Sequence, residues 1–236
     1  MTLPYNTTAD ASDPVTLSRY NMIEQQIRPW NVLDTDVLDL LNVVRREDFV
    51  PPAYRGMAFM DMEIPLNPSA EEAQRLGQCM LAPRVEARML QDLQVKPTDR
   101  VLEIGAGSGY MAALLAHRAE HVVTLEIVPD LVEFARENLL SAGIDNVTVR
   151  RGDGARDAIP DGPFDVIVLS GSVHEVPQHL LALLREGGRL AAITGDEPVM
   201  RATFVRRTGD RFAATQPWDT NASRLLHFPE RPRFTF

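Results

Sequence analysis

The sequence predicts an α/β fold: a mostly parallel sheet with helices on both faces, a C-terminal antiparallel hairpin, and a set of helices in front. Three observations carry this. From Arg100 to Thr194 short apolar runs alternate with amphipathic ones, as in a parallel sheet covered on both sides. Within that region VLEIGAGSGYMAALLA sets Gly105, Gly107 and Gly109 between a buried strand and a helix. After Thr194 the alternation stops, and ATFVRRTGDRFAATQPW places a Thr-Gly-Asp turn between two strand-like runs.

Taken in order, residues 1 to about 16 are polar and punctuated by proline, which predicts a loose arm. From Ser18 to about Gln26, YNMIEQQI has helical spacing, and Pro29 stops it. Asp34 is a candidate N-cap for VLDLLNVV. Phe49-Val50-Pro51-Pro52 breaks the pattern, and the segment to Leu66 reads as irregular. NPSAEEAQRLG suits a short helix closed by Gly77. Pro83 opens RVEARMLQDLQ, with Val85, Met89, Leu90 and Leu93 along one side. The alternating region then reads VLEI, YMAALLAHRA, HVVTLEI, PDLVEFARENLLSAG, NVTVRRGD, FDVIVLS, VPQHLLALLREGG and RLAAIT, strand and helix by turns apart from the helix-free step between NVTVRRGD and FDVIVLS. Residues 1–97 are expected to form an N-terminal arm and helical cap, and residues 98–236 the core with its hairpin.

A net charge of −9 argues against a nucleic-acid or anionic-membrane binder, which needs a basic surface. One cysteine allows no internal disulfide, which suits a reducing compartment. MTLPYNTTADASDP has no basic start followed by an apolar run, so no signal peptide is read, and the expected location is cytoplasmic. Asn6-Thr7-Thr8 matches a glycosylation sequon that is then without consequence. No metal site is read.

Two carboxylates narrow the ligand of the glycine loop. Glu126 closes the second strand, where it can accept from both ribose hydroxyls of an adenine nucleoside. Asp153, in Arg151-Gly152-Asp153-Gly154, ends the third strand on the adenine side. A dinucleotide loop spaces its last glycine one residue further on than this one. The GxGxG spacing, with Glu103 two residues ahead, instead favours S-adenosyl-L-methionine, with S-adenosyl-L-homocysteine as product. His174, after the fourth strand, is the one visible candidate for a general base toward a hydroxyl acceptor; the other reading is a helix-start residue.

These segments resemble the protein-L-isoaspartate O-methyltransferase family. VLEIGAGSGYMAALLA is similar to its first cofactor motif, NVTVRRGDG to its third-strand turn, and FDVIVLSGSVHEVPQHLLALLREGGRL to its fourth strand and following turn. Arg46-Glu47-Asp48-Phe49-Val50-Pro51 resembles a more specific family segment. The resemblance implies a Rossmann-like class I methyltransferase fold and carboxyl methylation of damaged aspartyl residues in protein repair. It implies cofactor contacts from Met80, Leu81, Gly105, Ala106, Gly107, Ser108, Gly109, Glu126, Ile127, Asp153, Gly154 and Ser170. Where the family usually has Gly-Gln-Thr-Ile-Ser-Xaa-Pro this chain has GQCMLAP, so Leu81 holds the position of the serine assigned to catalysis. Cys79 is expected to be a small buried filler. The implied partner is a protein or peptide isoaspartyl substrate, with no nucleic acid and no membrane. The alternatives are a small-molecule acceptor methylated with His174 as base, or a cofactor-binding protein without isoaspartyl activity.

Overall fold

The structure, a computed structural model, describes residues 13–230. The sequon at Asn6, the first twelve residues of the expected arm and the last six of the chain lie outside the described residues.

Asp13 caps the first helix, α1 (Pro14–Asn21), by accepting from the amides of Val15 and Thr16. The helix therefore begins before Ser18, inside the stretch read as a loose arm, because Asp-Pro supplies both a cap and a proline suited to the first turn. It runs on as wider turns over Met22–Ile27 and ends at Asn31 in the left-handed region. Asp34 caps α2 (Thr35–Val43), and Gly77, at φ 67°, closes α3 (Ala70–Leu76). α4 is Pro83–Leu93. Ahead of it, the first two residues of Cys79-Met80-Leu81 form β2 (Cys79–Met80), paired antiparallel with β1 (Ile64–Pro65).

The main sheet has seven strands: β3 (Arg100–Ile104), β4 (His121–Glu126), β5 (Val147–Arg151), β6 (Phe164–Val173), β7 (Leu184–Asp196), β8 (Val199–Thr208) and β9 (Arg211–Asp219). Their order is β5-β4-β3-β6-β7-β8-β9. The first five in that order are parallel, and the β8–β9 hairpin closes the edge antiparallel, as predicted. The order reverses between β3 and β6, where an open parallel sheet offers a crevice beyond its strand ends.

Alternate side chains of the strands enter two hydrophobic clusters. Val101, Val122, Val166 and Ala191 face a layer that includes α2, α4, α5 (Tyr110–Ala116) and α6 (Pro129–Ser141), and this cluster joins residues on both sides of position 97. Leu102, Val123, Ile167 and Leu190 face the other way, against α7 (Gln178–Leu181), Ile159 and the C-terminal residues Leu225 and Phe228. The segment VPQHLLALLREGG, expected to be a full helix, is a single turn. Leu184 is already paired with Phe164 in the sheet, and Gly187 takes φ 73°, so the chain turns into β7 instead of extending α7. Part of the surface a longer helix would cover is taken by the C-terminal segment.

Candidate active site

The glycine loop hangs from the neighbouring strand. The amides of Gly105 and Ala106 donate to the Leu125 carbonyl at 2.8 and 3.2 Å. Glu126, buried at the end of β4, then uses both oxygens as tethers: one accepts from the Gly107 amide at 2.9 Å, the other from the Val128 amide at 2.9 Å. Burial raises its carboxyl above the usual range, and those backbone amides pull it back down. A carboxylate has room for about four acceptor contacts, so Glu126, which lines the cleft, keeps acceptor capacity beyond its backbone tethers.

That cleft is a concave site open to solvent at the ends of the strands. Gly105, Gly107, Glu126, Ile127, Asp153, Gly154 and Ser170 line it, from four strand ends that the sheet order brings together. Gly154 is there for close approach: a Cβ would lie 2.5 Å from Ile104 Cγ2. Asp153 accepts from the Ala155 amide at 3.0 Å and pairs with His227 Nδ1 at 2.7 Å.

A second, smaller recess adjoins it, lined by Met80, Leu81, Glu86, Glu103, Gly105, Ala106, Gly107, Ser108 and Ser170, among others. Glu103 has no exposed surface. It accepts from the hydroxyls of Thr124 at 2.6 Å and Ser170 at 2.7 Å, and burial still pushes its carboxyl up to about 8. Cys79 lines both cavities and is half-buried, so it is a wall residue of the site and not the buried filler expected of it; burial raises its thiol.

Two expected residues stand apart. Gly109, at φ 84°, lines neither cavity; it starts α5 and packs on Ala135 and Leu139 of α6. His174 also lines neither, and its Nδ1 lies 2.9 Å from Asp196 Oδ2. The fourth strand extends to Val173, three residues beyond Ser170 at the cleft, and carries His174 past the site. A base role for His174 therefore has no geometric support.

Three contributors escaped the sequence reading. Arg46, without exposed surface, donates to the Leu81 carbonyl at 2.7 Å and to the Glu86 carboxylate, and lies over the Tyr110 ring. Its neighbour Glu47 is bridged by Arg19 of α1. The Arg46-Glu47 pair thus staples two helices and the Cys-Met-Leu strand together, which gives the quoted motif a physical reason. Glu86 was hidden by its place on the apolar side of α4. The third is the C-terminal strap. Ser172 donates its amide to Ser223 and accepts from the Leu225 amide, while Ser223 donates twice to Glu63. The strap runs so close that a Cβ on Gly77 would lie 2.3 Å from the Arg224 carbonyl oxygen, and one on Gly105 2.8 Å from Leu225 Cδ2. Arg224, Leu225, Leu226 and Phe228 complete the cleft wall. The only sequence signal for it was the apolar run in RLLHF.

The profile of protein-L-isoaspartate(D-aspartate) O-methyltransferases matches residues 17–217. The chain belongs to this family. A protein-L-isoaspartate O-methyltransferase of Methanoculleus marisnigri is 40% identical over 184 residues, 78% of this chain and 80% of that one. Another, of Koribacter versatilis, is 36% identical over 200 residues, 85% and 86% of the two chains. The fold has a family counterpart as well. A Plasmodium falciparum structure described as a β-aspartate methyltransferase in complex with S-adenosyl-L-homocysteine superposes with a TM-score of 0.72 at 21% identity, over 90% of this chain and 98% of that one. Among the described residues no helix is long and apolar enough to cross a membrane, and no group of three or more His, Cys, Asp or Glu could hold a metal ion.

The buried carboxyl of Glu103 has a consequence for stability. A carboxyl raised by burial binds its proton more tightly in the folded state than in the unfolded chain, whose value is near 4.5. Glu103 therefore contributes stability that is complete below about 4.5 and is lost as pH rises through about 8. Glu103→Gln should gain on the wild type, without ligand, by ~2 kcal/mol or more between mildly acidic and mildly alkaline pH. Urea unfolding at the two extremes is the measurement; parallel pH profiles would refute the buried, proton-holding state of Glu103.

Proposed function

We propose that this chain transfers a methyl group from S-adenosyl-L-methionine to the carboxyl group of an isoaspartyl residue in a protein or peptide. The observation that carries the reading is one crevice, at the strand-order reversal of a family member, that joins two buried carboxylates, a glycine loop and an apolar Met80-Leu81 wall. The residues fit the cofactor. Glu126 has acceptor capacity left for the ribose hydroxyls, Asp153 and Gly154 lie on the adenine side, and Gly105 to Ser108 and Ser170 border the amino-acid end. Glu103 is the counterion for an ammonium: a buried carboxylate whose ionisation is held back until a cation arrives. Ile127, Met80 and Leu81 supply apolar contact.

When bound, the cofactor supplies an electrophilic methyl on a positively charged sulfur. The acceptor carboxylate, with a pKa near ~4, is already ionised at neutral pH, so no general base is needed. What the chain must do is align the two groups and keep water out. Leu81, 4% exposed and held through its carbonyl by Arg46, does the second and has no hydroxyl for the first. The residues offer no comparable support for a hydroxyl acceptor, since His174 lies outside the crevice.

The test is methyl transfer to an isoaspartyl peptide and to its normal aspartyl counterpart, with the ester located by mass spectrometry. Turnover confined to the isoaspartyl peptide is expected. Cofactor binding with no ester would leave only a cofactor-binding protein. Leu81→Ser combined with Cys79→Thr restores the family hydroxyls and should raise the rate by roughly 5–10-fold, the worth of about one hydrogen bond. The two changes are made together because they lie two residues apart in one short segment and couple. A rate unchanged or lowered by the pair would show that backbone groups do the positioning.

A further inference from the structure

We propose that Glu86 makes this site discriminate between the positively charged methyl donor and its neutral product, as a second buried carboxylate beside Glu103. The inference rests on the function proposed above and assigns a residue to the preference for one form of the cofactor.

Glu86 lies one turn into α4, is 3% exposed, and lines the same recess as Glu103, Met80, Leu81 and Ser170. Among the described residues its only hydrogen-bond partner is Arg46, on one oxygen. The other oxygen accepts no hydrogen bond among the described residues. Arg46 is itself divided between Glu86 and the Leu81 carbonyl, and its Nε has no partner. One guanidinium therefore stands against two carboxylates, Glu86 and Glu103, and the first makes the second harder to ionise. With both carboxylates ionised, the recess is short of positive charge by about one unit.

The remaining charged and titratable groups around it do not make up the difference. Tyr110 of α5 packs against Arg46, and burial keeps its phenol protonated. Glu47 and Arg19 neutralise each other behind it. Cys79 holds its proton, and Glu126 adds negative charge from the glycine-loop side. Burial pushes Glu86 up to about 7 against the pull of Arg46.

S-adenosyl-L-methionine carries an ammonium, a sulfonium and a carboxylate, a net charge of about +1; S-adenosyl-L-homocysteine has lost the sulfonium and is neutral overall. One ammonium satisfies one buried carboxylate, and both ligands bring it. Only the donor brings a second cation, and the second carboxylate responds only to it. Methyl transfer then removes that charge and leaves Glu86 to regain a proton, which favours exchange of product for fresh donor.

The experiment is titration calorimetry of the full chain with S-adenosyl-L-methionine and, separately, S-adenosyl-L-homocysteine, in buffers of different ionisation enthalpy. Near pH 7 the donor should release more protons than the product, and preference for the donor should grow from about pH 6 to about pH 8.5. Glu86→Gln keeps the shape and can still accept from Arg46; it should cut the preference about tenfold and abolish the difference in proton release. Equal proton release by the two ligands in the wild type, with both binding, would overturn the role of Glu86 and leave the proposed function standing. That measurement needs no variant, so it decides even if Glu86→Gln folds poorly. Binding of neither ligand would overturn the function as well.

Discussion

Glu126→Ala is expected to weaken S-adenosyl-L-homocysteine binding by at least about tenfold, since two hydrogen bonds to a charged group, at roughly 1.5–3 kcal/mol each, are removed from the ribose. The structure enlarges that expectation. The same carboxylate holds the Gly107 and Val128 amides, so its loss also releases the glycine loop from the end of β4. Glu126→Gln is expected to fall close to the alanine variant, because its NH₂ would face one of those backbone N–H groups and could not accept from it. Stability should change little, because removing a buried carboxylate also removes its desolvation cost. Titration with S-adenosyl-L-homocysteine beside urea unfolding separates the two effects. Unchanged affinity in Glu126→Ala would sink the ribose assignment.

The largest loss of stability is expected at Arg46. Arg46→Met strips the Glu86 carboxylate of the one hydrogen-bond partner it has among the described residues and the Leu81 carbonyl of a donor, both in the interior. Breaking a buried pair from one side typically costs ~3–5 kcal/mol, because the group left behind has neither water nor a partner. Replacing both sides, with Arg46→Met and Glu86→Met together, should recover most of that loss, since no buried charge then remains. Urea unfolding of the two variants measures the difference. A loss below ~1 kcal/mol in the single variant would mean that water or a shifted side chain reaches Glu86, and the buried pair would not be what holds α4 to the Arg46-Glu47 turn.

Much of this molecule was readable along the chain. Asp34, Gly77 and Pro83 mark their helices in the structure as the capping rules predict, since a cap acts within one turn of itself. The strands from β3 to β9 follow from short apolar runs, and the β8–β9 hairpin from its Thr-Gly-Asp turn. The glycine loop, Glu126, Asp153 and Ser170 were legible as a site because strand ends next to a strand-order reversal must meet. Local pattern failed where a partner far away in sequence competed with it. VPQHLLALLREGG has helical spacing, yet Leu184 gains more by pairing with Phe164 than by one more helical turn.

His174 and Glu86 show the same limit from opposite directions. A histidine after strand four looked functional by position, but three further residues of strand carry it past the cleft to Asp196. A glutamate on the apolar side of α4 looked like nothing, and the fold sets it against Arg46, 40 residues away, in the wall of the site.

By itself the sequence determined the α/β order, the caps, the glycine loop and the family frame, all of which act through periodicity or through contacts a few residues apart. The tertiary structure alone decided which charged groups are buried together, how far each strand runs and what covers the cleft. The strap makes the reason plain: Ser223 is held by Glu63, 160 residues earlier, and no local spacing encodes a hydrogen bond whose two ends meet only after the sheet has formed.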